Sequence, residues 1–331
     1  MRIVLIGSYG HAGIVLNSVA RRDDLELVAA AKWGPDDPMP FLQDPEMVPK
    51  GLKVYDDYRR MLEEIDADVA GVCMPLYRMA EASLEAVDRG LHVCSEKPLA
   101  TNHEDLAALR RAVDEKSVRI CAMLEMRTWP VFQATRQAVR EGLIGRPILA
   151  FGQKSYPFNK RDDYYKKRET YGGSALWQAI HAVDFVHYCT GLDYRRVAAV
   201  ESNQAHPTHP GMEDNGGAVF EFEGGGTAVI SYDYLRPWPG DGNRTWGDDR
   251  LRIVGEKGSI EVVDDASRAI LMTNGDTREL ELPAHRDLFG DFVDSIASDS
   301  EGIVTTADSF RMTEVCLKMR DAGDAGAFME L

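Results

Sequence analysis

The stretch LHVCSEKPLATNHEDL, residues 91–106, joins an apolar run to the start of a helical pattern. The run at 91–94 reads as a short buried strand, and Pro98 cannot extend it because proline has no N–H for a sheet ladder. Pro98 also keeps the preceding residue, Lys97, in an extended conformation. The sequence therefore predicts that Lys97 stands at the C-terminal tip of a strand.

A capping box, Thr101-x-x-Glu104, predicts a helix after this strand, continuing to about Lys116. In open parallel sheets, ligands bind in the crevice outside the carboxyl ends of the strands. Lys97 is therefore a candidate functional residue. The alternative is a lysine that caps a turn and pairs with Glu96.

Length and composition limit the class of protein. A chain of 331 residues suits two domains, and a hydrophobic content of 44% is ordinary for a globular protein. A net charge of −16 argues against nucleic acid and anionic membrane surfaces as partners. Five scattered cysteines without a CxxC pair predict reduced thiols. With no signal peptide at the start of the sequence, we expect a cytoplasmic protein.

Residues 1–121 alternate short apolar runs with amphipathic stretches, among them 77–89 and 102–116. The predicted strands are RIVLI, LELVAAA, LKVY, ADVAGVCM, LHVCSE and VRICAM. This alternation predicts an α/β fold with a doubly wound parallel sheet, a Rossmann dinucleotide-binding domain over residues 1–122. One long proline-rich loop, 33–50, interrupts it.

The pattern changes in residues 123–331. A helix at about 130–142 and a strand near 147–156 precede a series of period-2 segments separated by turn residues. These segments are RRVAAVES, GAVFEFE, TAVISYDY, LRIVG, GSIEVV, RAILMT and RELEL. They predict an α+β domain with a large, mainly antiparallel open sheet. Two helices, at about 285–298 and 305–322, end the chain and are free to pack back on the first domain.

The segment IGSYGHAG, residues 6–13, lies between the first predicted strand and the first helix. Its spacing is Gly7-x-x-Gly10-x-x-Gly13, with Tyr9 at the usual second glycine. In a strand–turn–helix context, glycines let backbone N–H groups approach a pyrophosphate at the helix N-terminus. The predicted cofactor-binding residues here are Gly7, Ser8, Tyr9, Gly10, His11, Ala12 and Gly13. The alternative is a tight turn without a ligand.

The end of the second strand normally carries an acidic residue that binds the ribose 2′-hydroxyl. Here Lys32 and Trp33 occupy this place. An ammonium attracts a 2′-phosphate and a Trp ring can stack on adenine, so the pair favours NADP over NAD. Asp36 or Asp37 folding back to the ribose keeps NAD as the alternative, and an ordinary exposed lysine is the third interpretation.

Together, the glycine loop, the doubly wound half, SEKPLA (95–100) and the antiparallel sheet resemble the Gfo/Idh/MocA oxidoreductases over essentially the whole chain. The most specific mark is Glu96-Lys97-Pro98. Further segments that look like the family are EGLIGRP (141–147), EDNGGAVFEFEGGGTAVISY (213–232) and LRIVGEKGSIEV (251–262). The resemblance implies that Lys97 lies beside the nicotinamide and the substrate hydroxyl, with Glu96, Met74 and Pro75 in the cofactor site.

The family's second site is a helix with the pattern Asp-x-x-x-His. In GGSALWQAIHAVDFVHYCTG (172–191), His181 matches the histidine, but Trp177 stands at the aspartate position. Leu76 and Met79 likewise replace the family's usual Asn and His.

In a helix predicted from Ser174 to Tyr188, residues 177, 181, 184 and 188 fall on one polar-aromatic stripe. Arg127 in RTWP matches a family arginine near the substrate. The predicted substrate-binding residues are Lys97, Arg127, Trp177, His181 and Asp184. The alternative for His181 is a hydrogen-bonded core histidine.

The resemblance implies an NAD(P)-dependent oxidoreductase acting on a secondary alcohol or ketone of a sugar, polyol or related polyhydroxy compound. Without the family's aspartate, Lys97 and His181 share the acid–base work. A free lysine has a pKa of about 10.4, which burial and a positive nicotinamide ring both lower. Two alternatives are a cofactor-binding regulator without turnover and a reductase of an imine or tetrapyrrole, for which the loop PWPGDGNRTW (237–246) is suited.

We expect no catalytic metal. In His181-x-x-Asp184-x-x-His187, the second histidine lies about 120° around the helix from the first, at about 100° per residue. The segment HPTHP (206–210) is bent by proline, and no HExxH motif occurs. The expected partners are a small polyhydroxy substrate and a second copy of the chain, in a homodimer or homotetramer formed through the C-terminal sheet.

Overall fold

A computed structural model describes residues 1–44, 46–237 and 247–331. They form two compact units, Met1–Leu124 with Asp287–Thr313 and Glu125–Arg286 with Glu314–Leu331. The loop PWPGDGNRTW lies outside the described residues apart from its first proline. No helix in the described part of the chain is both long and apolar enough to cross a membrane.

The first part of the chain alternates strands and helices, as the sequence predicts. The elements are β1 Arg2–Ile6, α1 Ala12–Arg21, β2 Glu26–Ala31, β3 Lys53–Tyr55, α2 Tyr58–Glu64, β4 Val69–Val72, α3 Leu76–Asp88, β5 His92–Ser95, α4 His103–Lys116 and β6 Ile120–Ala122. A short 3-10 helix, Pro40–Gln43, lies in the long loop after β2.

Within the described residues, the first unit contains a six-stranded sheet of order β3-β2-β1-β4-β5-β6. Every neighbouring pair in it is parallel, which confirms the doubly wound sheet. The strand order reverses between β1 and β4, and ligands of such sheets bind at that reversal, outside the carboxyl ends of the strands. The glycine loop follows β1 and therefore lies at this point.

The cap of α4 differs from the prediction. Asn102, not Thr101, is the N-cap residue, and its side-chain oxygen accepts a hydrogen bond of 2.8 Å from the N–H of Asp105. Both residue types are good helix caps, so the sequence offered two adjacent candidates. The predicted helix is otherwise correct to within one residue at its start.

The rest of the chain carries the second sheet and further helices, and its segment Asp287–Thr313 belongs to the first unit. The elements are α5 Pro130–Arg140, β7 Pro147–Ser155, α6 Arg168–Tyr171, α7 Ile180–Thr190, β8 Tyr194–Ser202, β9 Asn215–Phe222, β10 Thr227–Asp233, β11 Arg250–Gly255, β12 Gly258–Val263, β13 Arg268–Thr273, β14 Asp276–Glu279, α8 Leu288–Ala297, α9 Thr306–Ala325 and β15 Met329–Glu330. Two short 3-10 helices, Glu125–Thr128 and Asp163–Lys166, accompany them.

Across the described residues of the second unit, nine strands form one sheet of order β14-β13-β12-β11-β7-β10-β9-β8-β15. Only β7 and β10 pair in parallel among these strands, which confirms the mainly antiparallel sheet. The two-residue strand β15 was not predicted because so short a segment shows no alternation.

Helix α7 packs on one face of this sheet, against β7 and β10. Gly152 in β7 permits the close approach, because a Cβ atom at this position would lie 3.0 Å from a methyl carbon of Val186. The predicted helix start at Ser174 is correct, but residues Ala175–Ala179 form a π-helical turn before the regular helix α7 begins at Ile180.

Candidate active site

The three glycines of the loop after β1 have different reasons to be glycine. Gly7 has φ +78°, and a Cβ atom there would lie 2.2 Å from the carbonyl oxygen of Cys73. Gly10 has φ +68°, and its Cβ atom would lie 2.1 Å from a carboxylate oxygen of Glu96. At Gly13 the nearest atom would be 3.6 Å away, on Asn17. Packing within the protein therefore requires the first two glycines, while a Cβ atom at Gly13 would make only an ordinary van der Waals contact.

Glu96 connects the loop to the strand tip that carries Lys97. Its buried carboxylate accepts hydrogen bonds from the N–H of His11 at 3.0 Å and the N–H of Lys97 at 2.8 Å, and it also contacts the His11 ring. Burial alone would raise the pKa of Glu96, but the nearby His11 and Lys97 outweigh burial and lower it. The carboxylate is therefore held in its charged form, between the glycine loop and Lys97.

The other predicted residues of this site lie at the ends of neighbouring strands. Lys97 follows β5 and is only 1% exposed. Met74 and Pro75 follow β4, which pairs directly with β5, and Met74 is fully buried. Leu76 and Met79 lie in the first turn of α3 and are buried as well. The structure thus brings Lys97 and the residues after β4 to the same edge of the sheet.

The start of α1 suits a dinucleotide. His11 is the N-cap residue, its own side chain makes no capping hydrogen bond, and no acidic residue lies in the first turn of the helix. Backbone N–H groups at such a helix N-terminus bind phosphate well. Gly13, the second residue of the helix, has no side chain that would keep a phosphate from the backbone. Tyr9 donates its N–H to the carbonyl oxygen of Cys73 at 2.9 Å, which fixes the loop.

On the ribose side of the loop, the arrangement differs from the expectation that Lys32 faces the ribose. Lys32 donates to Asp56, with 2.8 Å between its Nζ and the carboxylate. The carboxylate of Asp37, 5% exposed, instead folds back to the glycine loop. It accepts from the N–H groups of Trp33 at 3.0 Å and Ser8 at 3.2 Å, and from the Ser8 hydroxyl. A carboxylate, rather than the Lys32 ammonium, therefore contacts the loop.

In the second unit, the predicted polar stripe lies on the π-helical turn and α7. Trp177 belongs to the turn, while His181, Asp184 and Tyr188 belong to α7. All four are buried, at 1% to 9% exposure. A π-helical turn inserts an extra residue into the helix, which is common at functional sites.

Arg127 and Asp184 form a bidentate ion pair in this unit. Nε of Arg127 lies 2.9 Å from one carboxylate oxygen of Asp184 and 3.1 Å from the other, and Nη2 lies 2.7 Å from the first. The guanidinium also lies over the Tyr188 ring, 5.2 Å from its centroid. The structure therefore brings together two predicted substrate-binding residues, and each neutralises the other.

No group of three or more His, Cys, Asp or Glu side chains is arranged to hold a metal ion in the described parts of the chain. His187 points its Nδ1 at the carbonyl oxygen of Leu192, 2.9 Å away. In HPTHP, the His206 ring stacks on Phe158 with 3.8 Å between ring centroids. All five cysteines are buried free thiols.

A second buried ion pair was missed by the sequence analysis. Lys154 and Asp249 lie 2.7 Å apart and both are almost completely buried. The strand PILAFGQKS does indicate a buried lysine, because its alternation places Lys154 on the buried face with Ala150 and Gly152. The partner could not be found from the sequence, because it lies 95 residues further along the chain.

The first unit thus has the strand order and glycine loop of a dinucleotide-binding Rossmann domain, and the second has a large, mainly antiparallel sheet. The comparisons agree with this class. Residues 1–123 match the model of an oxidoreductase family with an NAD-binding Rossmann fold, and residues 132–261 match the GFO/IDH/MocA C-terminal domain. The chain belongs to the Gfo/Idh/MocA oxidoreductase family.

Two relatives and one solved structure illustrate the similarity. The 2,7-anhydro-N-acetylneuraminate hydratase of Escherichia coli is 27% identical over 215 residues, 64% of this chain and 55% of that protein. The 1,5-anhydro-D-fructose reductase of Ensifer adhaerens is 31% identical over 162 residues, 48% of each chain. The chain therefore matches about half the length of these relatives.

The solved structure is that of a Thermotoga maritima protein provisionally assigned as an oxidoreductase. It is 33% identical to this chain, each chain is covered completely, and the TM-score is 0.94.

Proposed function

We propose that the protein is an NAD(P)-dependent oxidoreductase that transfers a hydride between nicotinamide and a secondary alcohol or ketone of a sugar, polyol or related compound. Lys97 and His181 have acid–base roles in this proposal. Family membership supports the reaction class. The relatives named for a reductase and a hydratase of anhydro sugars support a polyhydroxy substrate.

One observation carries the assignment of Lys97. Its backbone N–H and that of His11 donate to the same carboxylate, Glu96, which also occupies the space beside Gly10. The lysine and the cofactor loop are therefore parts of one hydrogen-bonded arrangement. A lysine that only capped an exposed turn would need neither burial nor this connection.

The bound cofactor would supply the hydride acceptor or donor, at nicotinamide C4. Lys97 takes the proton of the substrate hydroxyl when the alcohol is oxidised and returns it when the ketone is reduced. His181 polarises the same oxygen or exchanges its proton. Because Arg127 already neutralises Asp184, that carboxylate does not replace the missing aspartate at position 177 as a proton acceptor. Trp177 offers a sugar ring an apolar face.

A screen of polyhydroxy compounds tests the proposed function. Wild-type protein is incubated with NAD or NADP and a panel that includes myo-inositol, D-glucose, 1,5-anhydro-D-glucitol and 1,5-anhydro-D-fructose. Absorbance at the reduced-nicotinamide band reports net redox turnover, and mass spectrometry reports products formed without it. We expect cofactor-dependent turnover of at least one compound. Tight cofactor binding with no product from any of them would favour the non-catalytic regulator.

We further propose that NAD(H) is preferred to NADP(H). Lys32 and Trp33 alone favour NADP, but the neighbours of Lys32 change the balance. Asp56 neutralises the Lys32 ammonium, and the Asp37 carboxylate lies against Ser8 and Trp33. A negative charge at this place repels a 2′-phosphate and accepts hydrogen bonds from a ribose hydroxyl.

Asp56→Asn tests this preference without disturbing the loop, because Asp56 is on the surface. Losing its partner leaves the Lys32 ammonium available to a 2′-phosphate. Because water screens an exposed charged pair, the gain should be modest, with NADP affinity rising about fivefold relative to NAD. The added substitution Lys32→Met should cancel the gain. Tighter NADP than NAD binding by the wild type would contradict the proposal.

We also propose that the protein forms a homodimer or homotetramer through the C-terminal sheet. Directly paired residues of β8, β9, β10 and β7 place an apolar row across one sheet face, namely Ala198, Val219, Val229 and Phe151. Val219 and Phe151 are 42% and 38% exposed, and Val200 beside this row is 77% exposed. Light scattering at micromolar concentration should give at least a dimer, and a monomer would contradict it.

A further inference from the structure

The second unit contains a buried polar cluster that the proposed mechanism does not use. Lys154 comes from the face of β7 that packs against α7, and its Nζ lies 2.7 Å from Oδ2 of Asp249. The same Nζ lies 3.6 Å from the sulfur of Met126 and 4.7 Å from the centroid of the Tyr156 ring. Lys154 is 4% exposed and Asp249 is 1% exposed.

The ammonium of Lys154 is charged. Burial alone would lower the pKa of Lys154, but Tyr156 and Asp249 outweigh burial and raise it. A lysine ammonium has three N–H donors, and here one is directed at a thioether sulfur, which is a weak acceptor. A ligand oxygen would be a much better partner for this donor.

Two buried acceptors, one in the ion pair and one on a residue bound to the Lys154 backbone, have no hydrogen-bond donor among the described residues. They are Oδ1 of Asp249 and the side-chain oxygen Oε1 of Gln178. Gln178 lies in the π-helical turn, beside Trp177, and its amide nitrogen donates to the backbone oxygens of Lys154 at 3.2 Å and of Asp233. These two bonds fix the orientation of the amide and leave Oε1 facing away from them.

Unpaired buried acceptors are costly, so a protein needs a reason to retain one on the partner of a charged lysine and another on a residue bound to that lysine's backbone. Hydroxyl groups that donate to both oxygens would remove the cost. A vicinal diol matches the set, since one hydroxyl can donate to Asp249 while the oxygen of its neighbour accepts from Lys154. Carboxylates, amide oxygens and ammonium groups together bind sugar hydroxyls, whereas an anionic ligand would be repelled by Asp249.

We propose that Lys154, Asp249 and Gln178 form a diol-binding subsite in the second unit, which binds two adjacent hydroxyls of the sugar or polyol. The inference rests on the proposed function for its choice of ligand. It extends that function by naming residues outside the family motifs and by requiring a vicinal diol in the substrate.

The test compares a charge-free variant with a matched control. In Lys154→Met/Asp249→Leu both charges are removed together, because replacing a buried ion pair with apolar residues of similar size is often neutral for folding. The control, Arg146→Met/Glu256→Leu, removes an ion pair that flanks the same two strands, β7 and β11, one whose side chains are about half exposed. Asp249→Asn is a milder variant that keeps the size of the residue.

The probes are D-glucose, myo-inositol and 1,5-anhydro-D-glucitol with their monodeoxy analogues, measured by calorimetry with NADH present and by steady-state kinetics. We expect the charge-free variant to bind the probe about 10-fold to 100-fold more weakly, the range expected for hydrogen bonds to charged groups. Its kcat and its affinity for NADH should change less than about threefold. The wild type should discriminate against the analogue that lacks one of the two hydroxyls, and the variant should not.

The outcomes distinguish a failure of the subsite from a failure of the proposed function. If the probes are bound and turned over equally by wild type and variant, the subsite is wrong and the proposed function stands. If they bind through the pair but are never turned over, the subsite stands and the enzymatic proposal fails. If no probe binds to the wild type, both are overturned. A lower melting temperature with unchanged discrimination between probe and deoxy analogue would show that the pair is only structural.

Discussion

The glycine loop of the first unit and the π-helical turn with α7 in the second unit position their functional residues differently. Around the loop, the constraints are on the backbone, because Gly7 and Gly10 have no room for a side chain and Glu96 is bound by two backbone N–H groups. Along α7, the constraints are pairs of side chains, with Arg127 bound to Asp184.

This difference has a practical consequence. Changes in the first unit should act by displacing the backbone that approaches the cofactor, and they should therefore alter cofactor affinity. Changes in the second unit should leave the backbone in place and alter charge or hydrogen bonding toward the substrate. Lys97 is the exception, because it lies in the first unit but acts on the substrate in the proposed mechanism.

Replacing Lys97 should therefore have the largest effect on catalysis. Lys97→Met keeps the length of a side chain that is 1% exposed but removes the proton-transfer group. We expect kcat to fall by at least about 10²-fold with little change in cofactor affinity, as is usual for an acid–base group. Exposed Lys116→Met is the control. Turnover at the wild-type rate in Lys97→Met would remove Lys97 from the mechanism.

His181→Asn should be the next most severe change. The position four residues earlier is Trp177 and the carboxylate three residues later, Asp184, is bound to Arg127, so neither position offers a carboxylate that could take over the proton. We expect kcat to fall about 10-fold to 10²-fold while the melting temperature changes by only a few degrees. Kinetics and thermal unfolding check this together. A large loss of stability with kcat retained would make His181 a core histidine.

The two glycines Gly10 and Gly13 distinguish packing from cofactor binding. Gly10→Ala should lower the free energy of unfolding by about 2 kcal/mol, because its φ is positive and its Cβ atom meets Glu96. Gly13→Ala has the space it needs and improves helix propensity, so it should keep or raise stability. It should nevertheless weaken NAD binding, because the added methyl group lies where a phosphate approaches. Unchanged NAD affinity in Gly13→Ala would contradict this placement of the phosphates.

The smallest expected effect compares one carboxyl in each unit, the buried Glu96 and the half-buried Glu201. The pKa of Glu96 is lowered from its usual value of 4.5, so its charged form contributes stability above that pH and the contribution disappears as the pH falls further. The pKa of Glu201 is raised by burial, although Tyr232 opposes the shift. Its contribution is present below pH 4.5 and is lost as the pH rises through its higher folded-state pKa.

Urea unfolding of the wild type, Glu96→Gln and Glu201→Gln across pH 4 to 8 measures both contributions. The destabilisation caused by Glu96→Gln should shrink toward pH 4. The destabilisation caused by Glu201→Gln should instead shrink toward pH 8. The same pH trend in both variants would contradict the opposite shifts.

The sequence was most informative where the pattern is local. The parallel sheet was predicted from the alternation of strands and helices and from the spacing of Gly7, Gly10 and Gly13. The strand tip was predicted from the proline after Lys97. Each of these patterns involves residues that are close together in the sequence. The cap of α4 was misassigned because Thr101 and Asn102 are both suitable. The π-helical turn was missed because apolar and polar positions alone do not distinguish it from an α-helix.

The side-chain networks could not be predicted, since they join distant positions. Arg127 and Asp184 are 57 residues apart in the chain, and Lys154 and Asp249 are 95 residues apart. The family resemblance indicated Arg127 and the helical stripe indicated Asp184, each as a substrate-binding residue. Neither indicated that the two residues neutralise each other. Asp37 was named as an alternative ligand of the ribose, and only the fold brings it to Ser8 and Trp33.

Isotope transfer tests the central claim most directly. A polyol found in the screen is labelled with deuterium at the carbon that is oxidised, and the reduced cofactor is isolated and examined by mass spectrometry and NMR. The account predicts one deuterium at C4 of the nicotinamide for each ketone formed by the wild type, and at least about 10²-fold slower transfer by Lys97→Met. Product formed with the label released to water, or transfer at the wild-type rate without Lys97, would contradict it.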